Sequence, residues 1–470
     1  MSHQDLNCHT GRQPNHQDLK RVLDWLTEGA DFSTVHFAKT CTWTPRTLTI
    51  TALLWVWSDK ETLKDRFQAA RKIAIHALAL SMLVAATYQA FLQMLRAWTT
   101  RLAVPLVGAL RRRMQEDLAD RFTLDGYTLF GVDGTRLELP RTESNETPPV
   151  PRRPRRARKR PSKSKRRARA AAVARGTKSN TAQMWLTTLW HVGTGLPWDW
   201  RTGPSDSSER DHFKAMIAAL PARAMVLADA GFVGYVYWKA LLESGHQFLI
   251  RVGANVRLLK QLGYARERNG LVYLWPDRVR KQQQPPLVLR LVVAHDGREP
   301  VYLVTSVLDE GAFPDRQAIR AYGLRWGVEL FYRHFKQTFA RRKLRSRRWE
   351  NAEVEAVWSL LGLWTMSLHA QVELSYDAVP SDQISVAKLL GAYRGAMAEY
   401  RSIALPGESL WERLAVAVLD GYERGNKTSR DFPRKKRART AGAPEIRRAT
   451  RLEVEAARQI KYDQLSALPA

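Results

Sequence analysis

The chain has 470 residues, 44% of them hydrophobic, which is enough for a sizeable core and excludes a largely disordered protein. Lys and Arg outnumber Asp and Glu by 75 to 46, and the net charge of +29 favours a polyanionic partner such as nucleic acid. The two cysteines, Cys8 and Cys41, exclude a disulfide framework and a cysteine-rich zinc site, and they favour a reducing, cytosolic compartment.

The excess positive charge lies in three strips. Residues 152–178 hold fourteen Lys or Arg and no acid, RRKLRSRR at 341–348 holds six, and residues 424–451 hold eleven against two acids. The rest of the chain is electrically neutral. We therefore expect a folded body that holds a charged polymer at several places.

The first 120 residues have the pattern of several helices. LKRVLDWLTE and the long segment from Glu61 to Trp98 have helical periodicity, and TWTPRT marks a break between early elements. We expect a helical N-terminal region over 1–120, of a kind that often binds DNA. The start of the chain lacks the apolar core of a signal peptide. Residues 73–92 are the most apolar segment, but His76 and Gln89 favour a buried helix over a membrane span.

From residue 121 the pattern changes to strands that alternate with helices. YTLFGVDGTRLELP (127–140) predicts a strand closed by the turn residues Asp133, Gly134 and Thr135. The next segments read as strand, strand, helix, strand with turn, helix and strand: MWLTTLWHV, LPWDWRTG, SSERDHFKAMIAAL, AMVLADAGF, YVYWKALLESG and QFLIRVG. This order predicts an α/β fold, a mixed sheet with helices on its faces.

Two insertions interrupt this pattern within a predicted domain at 121–345. Residues 143–180 are Pro-rich and basic, and we expect them to be poorly ordered until an anion holds them; a solvated loop that aids solubility is the alternative. Residues 253–308 lack helical periodicity and predict an all-β insertion. Helix resumes at Asp315, and residues 346–470 predict a helical C-terminal region with a basic tail.

The segment AYGLRWGVELFYRHFKQTF (321–339) predicts one helix with two faces. At about 100° per residue, four polar side chains fall on one narrow stripe: Tyr322, Arg325, Glu329 and Lys336. A separate apolar stripe holds Leu324, Val328, Phe331, Phe335 and Phe339. The alternative is an ordinary amphipathic helix in which Arg325 and Glu329 form an i, i+4 ion pair.

Three carboxylates are the candidate catalytic residues. Asp133 and Asp229 each follow an apolar strand and precede a glycine, at the sheet edge where α/β proteins place their sites, although each is also a typical turn residue. With Glu329 they form an all-oxygen set suited to Mg²⁺ or Mn²⁺. The histidines His191, His212 and His334 have no partner at metal-ligand spacing, so we expect structural or surface roles for them.

These motifs resemble those of the DDE transposases of the insertion-sequence-4 group. Tyr322, Arg325, Glu329 and Lys336 match the group's Y-x2-R-x3-E-x6-K signature at every spacing. VDGT with Asp133 and ADAGF with Asp229 resemble its two aspartate motifs, although the group more often has arginine in place of Ala230. The β-rich stretch before Glu329 is similar to an insertion that the group carries.

The resemblance implies a ribonuclease-H-like catalytic core interrupted by a β insertion, and cut-and-paste movement of a DNA element. It implies that Asp133, Asp229 and Glu329 hold two Mg²⁺ or Mn²⁺ ions. It also implies that Tyr322, Arg325 and Lys336 hold phosphates of the element's end. The expected complex is a homodimer on double-stranded DNA. Its expected location is a prokaryotic cytoplasm, and no membrane is involved.

Two further roles follow less directly from the same comparison. Arg341, Arg342 and Lys343, just after the signature, are expected to track the DNA backbone. Trp275 is a candidate for stacking on a displaced base, although a tryptophan in a strand is more often part of a core.

Two other functions stay open at this point. A non-catalytic DNA- or RNA-binding protein is expected to have lost one of the carboxylates or the Tyr/Arg/Lys set, and none is missing. A metal-dependent nuclease on the same core would lack sequence-specific end binding and strand transfer.

Overall fold

The computed structural model describes residues 18–78, 87–149, 182–295, 299–376, 379–400, 409–419 and 442–466. Within these ranges, ten strands form one mixed sheet with helices packed against it, which confirms the predicted α/β class. Most of the basic insertion (150–181) and of the basic tail (420–441) lies outside the described residues. The strands are β1 (Thr128–Glu138), β2 (Gln183–His191), β3 (Leu196–Pro204), β4 (Ala224–Ala228), β5 (Gln247–Val252), β6 (Arg257–Lys260), β7 (Leu271–Leu274), β8 (Leu287–Ala294), β9 (Val301–Thr305) and β10 (Glu445–Arg448).

The first five strands form one half of the sheet in the order β3-β2-β1-β4-β5. β1, β2 and β3 are antiparallel neighbours, whereas β4 and β5 run parallel to β1. β4 has the sequence AMVLA, and all five of its residues are buried, as is typical of a central parallel strand. The parallel pairs direct the carboxyl ends of β4 and β5 to the same edge of the sheet.

The second half of the sheet comes from residues 257–305 and from the C-terminal segment. β9 pairs with β5, the strands β8, β7 and β6 follow as antiparallel neighbours, and β10 lies at the edge as a parallel partner of β6. A short helix, Asp277–Lys281, lies between β7 and β8 within the segment predicted to be all-β. The β-rich segment therefore extends the main sheet through β5.

The helices are numbered in chain order. They are α1 (Asp18–Thr27), α2 (Pro45–Trp57), α3 (Leu63–Ala77), α4 (Tyr88–Glu116), α5 (Ala119–Phe122), α6 (Glu143–Glu146), α7 (Glu209–Met216), α8 (Tyr235–Glu243), α9 (Asp277–Lys281), α10 (Asp315–Leu324), α11 (Gly327–Arg333), α12 (Trp349–Ser375), α13 (Val386–Glu399), α14 (Leu410–Ala415) and α15 (Arg451–Ser466). Three-residue 3₁₀ segments lie at Ile217–Ala219, Ala230–Phe232 and Ser381–Gln383, and a π-helical segment spans His334–Thr338.

The long helix α12 joins the N-terminal helices to the sheet. It packs against α2, α4 and β3, and most of its side chains are buried. Trp358 Nε1 donates to Thr99 Oγ1 at 2.8 Å, and Trp57 Nε1 donates to the carbonyl of Gly362 at 2.9 Å. Helices from both ends of the chain thus share one apolar core with the sheet.

The predicted helix from Glu61 to Trp98 is divided. α3 ends at Ala77, residues 79–86 lie outside the described ranges, and a new helix begins after Thr87, whose side chain accepts a hydrogen bond from the Ala90 N–H. In the residues that the structure covers, no helix is long and apolar enough to cross a membrane.

The predicted turn at Asp133–Thr135 is wrong. β1 continues through these residues to Glu138, and Asp133 is paired with Thr188 of β2. Gly134 has no side chain, and the Glu209 carboxylate and the Trp185 indole fill the space beside it. A methyl group at this position would collide with both, so the strand requires glycine here.

The single helix predicted over 321–339 is also wrong. α10 ends at Leu324, α11 begins at Gly327, and the π-helical turn follows. The Arg325 N–H bonds to the Tyr322 carbonyl and the Val328 N–H to the Arg325 carbonyl, so tighter i+3 bonds form the junction. Leu324, assigned to the apolar stripe, is 41% exposed, whereas Val328, Phe331, Phe335 and Phe339 are buried as predicted.

Candidate active site

Asp133 lies within β1, and Asp229 directly follows the neighbouring parallel strand β4 at the same level. The last paired residues of β1 and β4 are Gly131 and Leu227. The two aspartates each follow two residues later, so their backbones lie about 5 Å apart, at the spacing of neighbouring strands. Asp133 thus lies beyond the end of β4 even though β1 continues on its pairing with β2.

The Asp229 carboxylate serves the local turn as well. Its Oδ1 accepts a hydrogen bond from the Gly231 N–H at 2.7 Å, the turn role that the sequence left as an alternative. This bond fixes the side chain at the start of the 3₁₀ segment Ala230–Phe232 and occupies one of its two oxygens.

Two other carboxylates contribute to the electrostatic environment of Asp133. Burial and the charges of Asp229 and Glu329 together raise the pKa of the Asp133 carboxyl to about 6, against the Gly134 N–H and Arg325, which lower it. The carboxylates of a strand end and of a helix therefore both act on the strand carboxylate of Asp133.

Glu329 reaches this place because α11 lies close to β2. A methyl group at Gly327 would overlap the indole of Trp190, so only glycine allows the helix to approach this closely. Arg325 Nη2 lies 3.5 Å from Glu329 Oε1, which is the ion pair that the sequence offered as an alternative. Arg325 also lies over the ring of Tyr322, with its Cζ 5.6 Å from the centroid.

The other signature residues surround the carboxylates. Burial raises the pKa of the Tyr322 hydroxyl. The charges of Arg325 and Arg251 lower this pKa, and the charge of Asp229 raises it. Burial lowers the pKa of the Lys336 ammonium, and Arg342 lowers it further, against the charges of Glu138 and Asp133. In the described part of the chain, the buried Nε of Arg325 has no hydrogen-bond partner. These cations can contact a phosphate beside the carboxylates.

Tyr332 fixes α11 to the sheet, and sequence reasoning missed it. Its hydroxyl donates to the Asp133 carbonyl at 2.7 Å and accepts from the Thr188 N–H at 3.1 Å. These two residues are partners across β1 and β2, so a single buried phenol aligns the helix that carries Glu329 with the strand that carries Asp133. The sequence signal was a tyrosine three residues after Glu329.

Glu209 is a fourth carboxylate that sequence reasoning also missed. It lies in the first turn of α7, above Gly134, next to Asp133. Burial raises the pKa of the Glu209 carboxyl to about 7, and the charges of Asp133 and Asp229 raise it as well, while Arg136 and Arg210 lower it. Only the packing of α7 on β2 and β3 brings it here, so spacing along the chain gave no sign of it.

The basic residues after the signature divide into two groups. Arg342 and Lys343 are exposed. The Lys343 backbone pairs with Glu138 at the end of β1 in an isolated β-bridge, and Arg342 Nε lies 3.5 Å from Glu138 Oε1. Arg341 is only 3% exposed, and its guanidinium donates to Ser359 Oγ at 2.6 Å and to the Phe339 carbonyl at 2.6 Å. The predicted DNA contact of Arg341 is therefore wrong, because its charge is enclosed by protein.

Two other sequence-based roles have clear outcomes. Trp275 is 5% exposed and its Nε1 donates to the Gln284 carbonyl at 2.9 Å, so it is a core residue and not a stacking platform. His191 is fully buried between Thr194 Oγ1 and the Phe122 carbonyl, and His212 contacts Thr187 Oγ1, which confirms structural roles for both.

The donor set of the site fits a hard divalent cation. All of its candidate ligands are carboxylate oxygens, and their mutual repulsion is a cost that a bound cation relieves. As the side chains stand, no three His, Cys, Asp or Glu residues among those described form a group that could hold a metal.

Comparison with known proteins gives a family for this site. The family model for the transposase DDE domain matches residues 125–364, about half of the chain. The chain belongs to this family. Asp133, Asp229, Glu329, Tyr322 and Lys336 all lie within the matched region, and members of the family generally use divalent metal ions.

A curated relative of this transposase-family chain is the transposase InsG for insertion sequence element IS4 of Escherichia coli (strain K12). The two are 27% identical over 278 residues, which cover 57% of this chain and 55% of the relative, and this similarity confirms the resemblance to the insertion-sequence-4 group. The chain thus matches about half the length of that relative. A cryo-EM structure of the piggyBac transposase synaptic complex with hairpin DNA gives a TM-score of 0.40 at 10% identity, over 89% of this chain and 88% of that one.

Proposed function

We propose that this chain is a transposase that cleaves DNA at the ends of a mobile element and joins the freed ends to target DNA. The observation that carries the proposal is the placement of Asp133 and Asp229 at matching positions of adjacent parallel chain segments, beside the helix that carries Glu329. Their place within the family match, and their setting among Tyr322, Arg325 and Lys336, support a phosphoryl-transfer site.

Asp133, Asp229 and Glu329 would together hold two Mg²⁺ or Mn²⁺ ions, and Glu209 adds a fourth carboxylate beside them. When bound, such ions lower the pKa of an attacking water or 3′-hydroxyl and stabilise the leaving oxygen. The raised pKa values of Asp133 and Glu209 indicate that these two groups bind protons readily while no cation neutralises the site.

Arg325, Tyr322 and Lys336 would position the scissile phosphate. Arg325 has one buried nitrogen without a described partner, and its guanidinium is held by Glu329 and the Tyr322 ring. A cation fixed in this way loses little conformational freedom when it binds a phosphate oxygen. The charge of Asp133 acts on Lys336 and that of Asp229 acts on Tyr322, so these two side chains and Arg325 would hold phosphates next to the reacting one.

The same proposal assigns the larger parts of the chain. The strands β1 to β5, in the order β3-β2-β1-β4-β5, would form a ribonuclease-H-like core within 121–345, with the β-rich segment 253–308 as its insertion. The helices of 1–120 would bind the element's ends, and 346–470 would complete the helical core and supply a basic tail. Cut-and-paste movement requires two ends to be held together, so a homodimer on double-stranded DNA is part of the proposal.

Glu329→Gln tests the proposal, because it keeps the shape of the side chain and removes its charge. The wild type should cleave and join a duplex that carries the element's own ends in Mg²⁺ or Mn²⁺, and Glu329→Gln should lose cleavage by at least about 10³-fold while it still binds that duplex. Glu310→Gln, at an exposed carboxylate, is the control and should cleave normally. Binding without cleavage by the wild type in both metals would support the non-catalytic alternative. Cleavage without end specificity or joining would support a nuclease.

A further inference from the structure

A cleft outside the candidate active site lies between α4 and the start of α12. Its volume is about 590 Å³. It is lined by Gln93, Arg96, Ala97, Ser144, Arg348 and Glu350. Gln93, Arg96 and Ala97 lie one turn apart on the exposed face of α4, and Arg348 immediately precedes the first residue of α12. The cleft therefore presents two guanidinium groups from different elements to solvent.

The two arginines have no acidic partner in the described part of the chain. Many other arginines there form ion pairs, including Arg113 with Glu28 and Arg280 with Glu453, but Arg96 and Arg348 do not. Glu350, in the first turn of α12, is the one acidic residue among those lining the cleft. Two unpaired guanidinium groups beside amide and hydroxyl groups are suited to phosphate oxygens.

The wall that carries Arg348 is held in place by hydrogen bonds. Ser144 Oγ accepts from the Trp349 N–H at 3.0 Å, and Thr142 Oγ1 donates to the Arg347 carbonyl at 2.6 Å. From the other side, the buried Glu355 carboxylate accepts from the Ser346 N–H at 3.0 Å and from its hydroxyl at 2.8 Å. The backbone before Arg348 is thus ordered in advance, which lowers the entropic cost of binding there.

The same backbone connects the cleft to the candidate active site. The Glu138 N–H donates to the Arg342 carbonyl and the Leu344 N–H donates to the Glu138 carbonyl, each at 2.9 Å. Glu138 ends β1, five residues or about 16 Å from Asp133. The segment that follows in the chain carries five exposed cations: Arg342, Lys343, Arg345, Arg347 and Arg348. A track of cations therefore leads from Lys336 to the cleft.

The geometry points to the phosphate backbone of duplex DNA as the occupant of this cleft, at a distance from the cleaved bond. The inference rests on the proposed function, because it assigns one substrate duplex to both sites. Arg96 and Arg348 bind phosphates of that duplex without reading its sequence, and Glu350 opposes the binding. The cleft would act as a second anchor that orients DNA along the track.

Binding of an arbitrary duplex of about 30 base pairs, roughly three helical turns, tests the inference across salt concentrations. Arg96→Gln combined with Arg348→Gln should weaken binding about tenfold and reduce the slope of log affinity against log salt by about 1 to 2. Glu350→Gln should strengthen binding several-fold. The matched control is Arg458→Gln with Lys461→Gln, two exposed cations on α15 that lie outside the basic strips, which should leave affinity unchanged.

Each outcome bears on the inference separately from the proposed function. If the Arg96/Arg348 variant binds like the wild type, or if Glu350→Gln does not strengthen binding, the cleft does not contact DNA. A change in oligomeric state with unchanged DNA affinity would assign the cleft to a protein partner and would also overturn the inference. Thermal unfolding of each variant confirms that it is folded. Failure of the wild type to cleave element ends would count against the proposed function alone, since binding of the arbitrary duplex is measured without cleavage.

Discussion

Asp133 has two separate tasks, because its carboxylate belongs to the candidate site while its backbone carbonyl accepts a hydrogen bond from Tyr332. The hydrogen bond from Tyr332 to the Asp133 carbonyl fixes the backbone that carries the Asp133 carboxylate. The Tyr332 hydroxyl satisfies both the Asp133 carbonyl and the Thr188 N–H at a buried position, so its removal leaves two backbone groups without that partner. At this scale, the geometry of the candidate site depends on a residue that need not touch DNA.

Tyr332→Phe should therefore reduce stability and cleavage together. We expect a loss of about 1 to 3 kcal/mol in the free energy of unfolding, measured with urea, because two buried polar groups lose a partner. Single-turnover cleavage should fall by at least about tenfold with DNA affinity unchanged. Tyr376→Phe, at a tyrosine that is 73% exposed, is the control and should change neither quantity. Normal cleavage by Tyr332→Phe would show that the hydroxyl does not position Glu329.

The raised pKa values of Asp133 and Glu209 predict how stability depends on pH. The folded protein binds protons at these groups up to about pH 6 and 7, above the ordinary values of 3.8 and 4.5. Between about pH 4 and 7 the folded state then holds more protons than the unfolded state, so these groups lower stability as pH rises. Without metal, we expect their joint cost by pH 8 to be roughly 2 kcal/mol, after allowance for solvent screening.

Urea unfolding from pH 4 to pH 8 in a chelator measures this cost. Asp133→Asn and Glu209→Gln should each make the decline with pH smaller, and Mg²⁺ should restore stability to the wild type at pH 8. Equal pH profiles for the wild type and both variants would show that the two carboxyls titrate at ordinary values in the folded state.

At the scale of elements, the junction between α10 and α11 determines how Glu329 meets the strands. Gly327 lies against Trp190 of β2, whereas Gly323, four residues earlier, has nothing within 4 Å of the place where its side chain would lie. The two glycines look alike in sequence but differ in what surrounds them. This difference provides a matched pair of substitutions.

Gly327→Ala should force α11 away from β2 and cost about 1 to 3 kcal/mol of unfolding free energy, with a large loss of cleavage. Gly323→Ala should be neutral or stabilise by about 0.5 to 1 kcal/mol, because alanine restricts the unfolded chain and meets no obstacle. Thermal unfolding and the end-cleavage assay compare them directly. Equal effects of the two substitutions would contradict the close approach of α11 to β2.

Local patterns predicted the elements more successfully than their boundaries. The strands from β2 to β5 and the helices α7 and α8 were found from apolar alternation and turn residues, which are local signals. The passage of β1 through Asp133 and Gly134 was missed because Asp-Gly usually marks a turn, and only pairing with β2 shows otherwise. Likewise, a run such as RRKLRSRR does not indicate that Arg341 is buried, since its partners Ser359 and Val56 lie elsewhere in the chain.

At the scale of the whole molecule, the candidate site depends on segments that are far apart in sequence. Asp133, Glu209, Asp229 and Glu329 span almost 200 residues, and α12 packs N-terminal helices against the same sheet. Three of the four were predictable because family motifs surround them, whereas Glu209 is visible only once α7 lies beside β1. We therefore expect the carboxylates to act as one unit that the folded chain assembles.

The most direct test of whether these carboxylates act together is single-turnover cleavage of element ends. It compares four variants: Asp133→Asn, Asp229→Asn, Glu329→Gln and the triple variant. If the three carboxylates act together, each single variant should lose about as much activity as the triple variant, at least about 10³-fold, with DNA affinity retained. Losses that simply multiply from variant to variant, or substantial cleavage by any one of the single variants, would contradict a shared catalytic site.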